Sequence, residues 1–227
     1  MALLFVRHAQ ASYGSEDYDR LSPLGWTQAQ HLGAWLAREP HGFARVRVGR
    51  MRRHRETLEA IRRAFAEAGH PLPEPEEDAD LDEFDHGAVI RAFLLERADA
   101  GMRARASSQD PAILGPMLHA AILAWANDEL EAVPERWEAF GERGARAGAA
   151  AAEAAREGAT LVVSSGGVIA RLAQQALEVP ARRAVDLNLA IRNASINEFS
   201  AGADRLRFGS FNTLPHLAHD RRLWTHF

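Results

Sequence analysis

An arginine and a histidine, Arg7-His8, close a short apolar run, Leu3 to Val6, at the start of the chain. Near neutral pH an imidazole keeps a free nucleophilic nitrogen, and a neighbouring guanidinium can hold a phosphoryl group in front of it. A basic cluster follows, in which Arg50, Arg52, Arg53 and Arg55 crowd the start of a predicted helix that carries Thr57. Arg53 and Thr57 lie four apart and share a helical face. A helix N-terminus adds partial positive charge to such an anion site. The segment Leu81-Asp82-Glu83-Phe84-Asp85-His86-Gly87 brings carboxylates and an imidazole. Cleaving a phosphate ester requires a proton for the departing alkoxide, and Glu83, Asp85 and His86 are the candidates to give it. Finally, the small residues of Ser164-Ser165-Gly166-Gly167 let backbone N–H groups approach an anion. Together these groups can bind and transfer a phosphoryl group.

The elements that must position them follow an α/β pattern. Leu3 to Val6 and Thr160 to Ser164 are continuous apolar runs, the signature of strands covered on both faces. Val46 and Val48 alternate with arginines as a further strand. A helix is predicted after Ser22-Pro23-Leu24-Gly25, with Leu32, Trp35 and Leu36 on one stripe and Pro40 beyond its end, and another from about Met51 to Ala68 with Leu58, Ile61 and Phe65 at helical spacing. Strand, helix, strand, helix predicts a parallel sheet, and the candidate residues fall where strands end, at the edge where ligands bind in such sheets. From Asp85 to about Gly158 the segment reads as helices, with a break at Ser107-Ser108-Gln109-Asp110-Pro111 and an alanine-rich run, Ala145 to Ala155, that reads as a solvent-facing helix. Ser165-Gly166-Gly167 leads into a helix to Leu177, and Ala194 to Phe199 and Arg205 to Phe208 read as a hairpin across Ser200 to Asp204. The expected fold class is α/β: a three-layer α/β/α sandwich with a mostly parallel central sheet and a helical cap insertion, about 85–158, in a single domain spanning 1–227.

Composition narrows the function classes. With 227 residues, 47% of them hydrophobic, the chain can bury a sizeable core as one domain. A formal net charge of −4 gives no global attraction to nucleic acid or acidic lipid, so anion recognition must be local. The absence of cysteine removes disulfides, thiolate metal sites and a cysteine nucleophile. No apolar run suggests a membrane span or a signal peptide, so a cytoplasmic protein with no membrane partner is expected. The sequence carries no signal for oligomeric state.

In order, the segments Leu4-Phe5-Val6-Arg7-His8-Ala9-Gln10, Leu21-Ser22-Pro23-Leu24-Gly25 with Gln28-Ala29, Met51-Arg52-Arg53-His54-Arg55-Glu56-Thr57, Leu81-Asp82-Glu83 up to Gly87, and Val162-Val163-Ser164-Ser165-Gly166-Gly167-Val168 resemble the histidine phosphatase superfamily, also called phosphoglycerate mutase-like. The resemblance implies that His8 is the nucleophile, Arg7 and Arg53 clamp the phosphoryl oxygens with Gln10, Ser165 and Gly166 beside them, and Glu83 is the general acid. It implies a small phosphorylated substrate or phosphate as ligand, a cap that shapes substrate choice, and no metal or cofactor. The implied activity is phosphomonoester hydrolysis; a catalytically weak relative that binds a phosphorylated ligand and a mutase-type phosphotransferase are the alternatives.

This chain departs from the pattern at Ser165, where the family usually has a second histidine, and in a smaller way at Ala9 and Ala11. Losing one preorganised electrostatic donor costs about 3 to 4 kcal/mol of transition-state stabilisation, roughly a hundredfold to a thousandfold in rate. His86, Arg192 and His216, the last within an Asn-x-x-x-His-Leu pattern that resembles family members, are the candidates to compensate.

Overall fold

A computed structural model describes residues 2–12, 17–38, 42–105, 111–203 and 205–226. Its sheet is built from β1 (Leu3–Arg7), β2 (Arg45–Val48), β3 (Glu76–Glu77), β4 (Thr160–Ser164), β5 (Ile196–Ala201) and β6 (Leu206–Thr213), in the order β3-β2-β4-β1-β5-β6. The pairs β1–β4, β2–β4 and β2–β3 are parallel, and β5 and β6 add an antiparallel edge. The fold is the expected mostly parallel α/β sheet, here of six strands. The anticipated hairpin is the β5–β6 pair; Asp204, Pro40, and residues 106–110 of the anticipated break lie outside the described residues.

The apolar runs read as they do because both faces of the sheet are covered. Leu3 and Phe5 of β1 and Val162 of β4 point into one core cluster, whereas Val6, Leu161 and Val163 point into another. The second cluster lies under α1 (Pro23–Leu36) and α2 (Arg52–Glu67), through Leu32, Leu36, Leu58, Ile61 and Phe65. These two helices approach closely at Gly33, where an added Cβ would stand 2.8 Å from Ile61 Cα.

The opposite face is covered by α6 (Trp137–Glu157), α7 (Gly166–Leu177) and α8 (Ala181–Ala190), with α3 (His86–Glu96), α4 (Ala100–Arg105) and α5 (Pro111–Ala126) arranged around them. The alanine-rich stretch is therefore not the solvent-facing helix expected of it. Gly141, Gly144, Gly148, Ala151 and Ala155 recur every three or four residues and are buried as one stripe of α6. Small side chains bury little area each, but they let the helix settle onto the sheet and α7: an added Cβ at Gly148 would stand 2.7 Å from Leu172 Cδ2. No described helix is long and apolar enough to cross a membrane.

Candidate active site

The parallel register sets Arg7 beside Ser164, and the His8 amide donates to the Ser164 carbonyl at 2.9 Å. His8 and Ser165 thus leave the C-terminal ends of adjacent strands. The His8 ring is 5% exposed, and its Nδ1 lies 2.8 Å from the Ala9 carbonyl oxygen. A carbonyl can only accept, so Nδ1 carries the proton and Nε2 keeps its lone pair. Arg53 Nε donates to that Nε2 at 3.2 Å. Burial first, then Arg53, Arg7 and His54, hold the His8 pKa well below the ordinary imidazole range, so the ring is neutral at pH 7.

The two arginines are held differently. Arg53 is buried, and its Nη1 donates to Asp19 at 2.6 Å. Arg7 Nη1 donates to the Ile191 carbonyl at 2.5 Å, while Arg7 Nε is buried without a partner. Burial lowers the Arg7 pKa to about 10, which leaves it cationic at neutral pH. No described carboxylate forms an ion pair with it. A half-buried cation with a vacant buried donor, beside a neutral imidazole, can receive an anion. The rest of the basic cluster turns outward: Arg50 pairs with Asp82, Arg52 with Glu56 and Asp17, and Arg55 with Glu77, all on the surface. Of the four arginines only Arg53 reaches the His8 ring. Thr57 fixes it there, because its hydroxyl accepts from the Ala9 amide at 3.0 Å and donates to the Arg53 carbonyl at 2.7 Å, tying α2 to the His8 loop.

Gln10 sits on the other flank. Its amide donates to Gln28 at 2.9 Å, its side-chain oxygen accepts from Ser22 at 2.8 Å, and Ser22 in turn caps α1. Gly25 is required by this contact, since a Cβ would stand 2.1 Å from the Gln10 carbonyl oxygen.

Glu83 is seated by the glycine turn. The Gly167 amide donates to Glu83 Oε2 at 3.0 Å, and the Phe84 amide to Oε1 at 3.2 Å. The turn thus gives one of its amides to Glu83, while Gly166 packs against Ile191 and, at 3.4 Å from a would-be Cβ, Arg7 Nε. Asp85 is taken up in capping α3 through the Ala88 amide. His86 packs on Phe84 with ring centroids 4.0 Å apart; burial lowers its pKa, and Glu83, Arg53 and Arg7 are the charges it feels.

His216 is not brought to His8. It lies beside α1, lining a cavity with His31 and His219, and burial and those two imidazoles lower its pKa to about 3. Arg192 lies over the Trp224 ring at 5.0 Å. Two histidines near the site carry no motif that singles them out. His54, fully buried on α2, has its ring centroid 5.6 Å from that of His8, and His226 feels the charges of Arg192 and Arg7. His54 stands one residue after an arginine already under consideration, so its inward orientation was readable from the apolar face of α2; for His226 no sequence signal exists.

The family model for the histidine phosphatase superfamily (branch 1) matches residues 3–213. The chain belongs to the histidine phosphatase superfamily. Similar solved structures include a mutant phosphoserine phosphatase from Entamoeba histolytica in complex with phosphoserine, with TM-score 0.64 and 15% identity over 95% of this chain and 98% of that one. A mycobacterial glucosyl-3-phosphoglycerate phosphatase is similar at TM-score 0.64 and 22% identity, over 93% and 99% of the two chains. A phosphoglycerate mutase from Bacillus anthracis follows at TM-score 0.62 and 18% identity, over 96% of each chain. No curated protein sequence matches significantly. Within this superfamily fold, Arg7 ends β1, and the motif residues His8, Arg53, Glu83 and Ser165 belong to loops and helix starts.

Proposed function

We propose that the chain is a phosphomonoester hydrolase that acts through a phosphohistidine on His8, with a small phosphorylated metabolite as substrate. The observation that carries this reading is the His8 ring: protonated at Nδ1 by its bond to the Ala9 carbonyl, with Nε2 facing Arg53 Nε and with the charge of Arg7, whose Nε is buried without a partner, acting on the ring. In the proposed cycle Nε2 attacks phosphorus in line with the leaving oxygen. As the P–N bond forms, the P–O bond breaks and Glu83 gives the departing alkoxide a proton. Arg7 and Arg53 hold the phosphoryl oxygens, where charge gathers in the transition state. Water then attacks phosphorus, passes its proton to Glu83, and the P–N electron pair returns to Nε2.

The cap in this reading is α3 to α5, because α6 packs on the sheet and belongs to the sandwich. Glu83 and His86 lie at its base, so the helices that follow them shape the substrate pocket.

Incubation with p-nitrophenyl phosphate tests the proposal. Phosphate should be released, an intact-mass shift should mark phosphorylated His8, and both should vanish in His8→Ala. Activity unchanged in that variant would overturn the assignment. Phosphate release without interconversion of phosphate isomers separates hydrolysis from mutase chemistry.

A further inference from the structure

Ser165 lacks the positive charge that an imidazole would bring to the phosphoryl group, yet an imidazole is present one hydrogen bond away. His54 Nε2 lies 2.6 Å from Ser165 Oγ, both side chains are fully buried, and the His54 ring stands 5.6 Å from the His8 ring. Ser165 begins α7 but makes no capping bond with its hydroxyl, so the His54 contact is the only hydrogen bond that Oγ makes among the described residues. The ring is seated by Gly49, after β2: a Cβ there would stand 2.2 Å from His54 Nδ1. Each of three elements therefore contributes to one contact, α2 with the ring, β2 with the room for it, and the β4–α7 junction with the hydroxyl.

We propose that His54, acting through the Ser165 hydroxyl, supplies this site with the imidazole that residue 165 itself lacks. The inference rests on the phosphatase reading. In the proposed relay Nδ1, which is buried beside Gly49 with no hydrogen-bond partner among the described residues, carries the proton, and Nε2 accepts the Ser165 O–H. A phosphate monoester entering as the monoanion brings one proton. That proton passes from a phosphoryl oxygen to Ser165 Oγ as the serine proton passes to His54 Nε2. The products are an imidazolium, a serine still donating to the phosphoryl oxygen, and a dianionic phosphoryl group; no other bond changes. Facing His54 are Arg53 and Arg55 from its own helix, His8 from β1 and the hydroxyl from α7, and burial with the two arginines keeps the empty site's ring neutral. Asp19 and Glu77 pair with the two arginines but do not bond the ring, and an arriving anion adds negative charge at the serine, so charging of His54 is coupled to substrate. His54 is thus a positioning residue and Ser165 the group that touches the phosphoryl oxygen.

The test uses the full-length protein with p-nitrophenyl phosphate across pH, near-UV circular dichroism to verify folding, and vanadate binding by calorimetry. His54→Gln keeps a hydrogen-bonding group near Ser165 but cannot ionise. Its kcat should fall about a hundredfold with KM little changed, Ser165→Ala should fall similarly, and the double variant should fall no further. Ser165→His should lose activity while His54 occupies the space, and His54→Ala with Ser165→His should recover it. A His54→Gln kcat within about threefold of wild type, additive losses in the double variant, or activation by Ser165→His alone would overturn the proposal. If His54→Gln does not fold, Ser165→Ala decides, and an unchanged kcat there overturns it. Wild type inert toward phosphate esters would instead overturn the phosphatase reading. The pair then answers to vanadate affinity, expected to weaken about tenfold in His54→Gln, and unchanged affinity sinks it.

Discussion

Gly167→Ala is the sharpest probe of how this site holds its acid. The new methyl group would stand 2.2 Å from Glu83 Oε1 and 3.0 Å from both Glu83 Cδ and Phe84 Cε1. The helix start of α7 is packed on the sheet, so the carboxylate must give way, by roughly 1 Å to reach ordinary contact. That motion breaks the 3.0 Å bond from the Gly167 amide to Oε2, and leaving a buried amide without a partner costs about 1–3 kcal/mol. A displaced general acid forfeits a contribution of roughly a hundredfold to ten-thousandfold. The loss should depend on the leaving group. For an alkyl phosphate, whose alkoxide must be protonated, kcat should fall about a hundredfold or more; for p-nitrophenyl phosphate, whose phenolate leaves unaided, the fall should stay within about tenfold. Glu83→Gln should show the same contrast, with phosphorylated His8 still forming from the aryl ester. Steady-state kinetics on the two esters, at matched folding by circular dichroism, measures it. Equal losses on both esters, or no loss on either, would refute the role assigned to Glu83 and to the glycine that seats it.

Other consequences follow from single contacts. Thr57→Val removes the only hydroxyl that receives the buried Ala9 amide and should cost about 1–3 kcal/mol in urea unfolding, a smaller change arguing that the His8 loop relaxes to water. Gly25→Ala would press a methyl group into the Gln10 carbonyl at 2.1 Å, backbone against backbone, and should destabilise by about 1–3 kcal/mol while weakening phosphate binding; a neutral outcome in calorimetry would deny that α1 braces the His8 loop. The buried histidines make stability acid-sensitive. His216 takes up a proton in the unfolded chain below about pH 6.5 but in the fold only near 3, so the unfolded state binds more protons in that window and stability falls as pH drops through it. At about pH 4.5 that one residue accounts for roughly 2.5–3 kcal/mol, and His216→Leu should flatten the slope of stability against pH between 4.5 and 7, whereas parallel slopes would contradict its burial as a neutral ring.

The strand ends were legible in the sequence because the apolar runs are too short for helices, and because Arg7, His8 and the Ser165-Gly166-Gly167 turn interrupt them abruptly. Arg53 was singled out by the resemblance, which sets an arginine four residues before the threonine, and the structure shows the threonine hydroxyl bonding the Arg53 carbonyl and the Ala9 amide at once. What escaped was packing between elements distant in sequence. The alanine-rich run has excellent helix propensity and no bulky side chains, which reads as solvent exposure, but smallness is equally what a helix needs to lie close against α7 and the sheet. Propensity reports the backbone, and only the partner surface decides which face is covered. His216 escaped for the opposite reason: its Asn-x-x-x-His-Leu pattern is real, but the pattern places Asn212 to receive the Arg192 amide and sends the histidine toward α1.

His54 shows where single-position comparison of a motif stops being informative. Read along the strand, Ser165 is a deletion of charge and predicts slow chemistry. In three dimensions, a ring from α2 meets the Ser165 hydroxyl, admitted by the absence of a side chain at Gly49. Residues 49, 54 and 165 are therefore one unit, and substitutions at any of them should be non-additive with the others. Gly49→Ala makes the point without touching the hydrogen-bonded pair. A methyl group 2.2 Å from His54 Nδ1 must tilt the ring away from Ser165. If the ring serves only as filler, the variant should lose stability and keep its kcat; if the ring acts through the serine, kcat should fall with that of His54→Gln, and Gly49→Ala should cost nothing more in a chain that already carries Ser165→Ala.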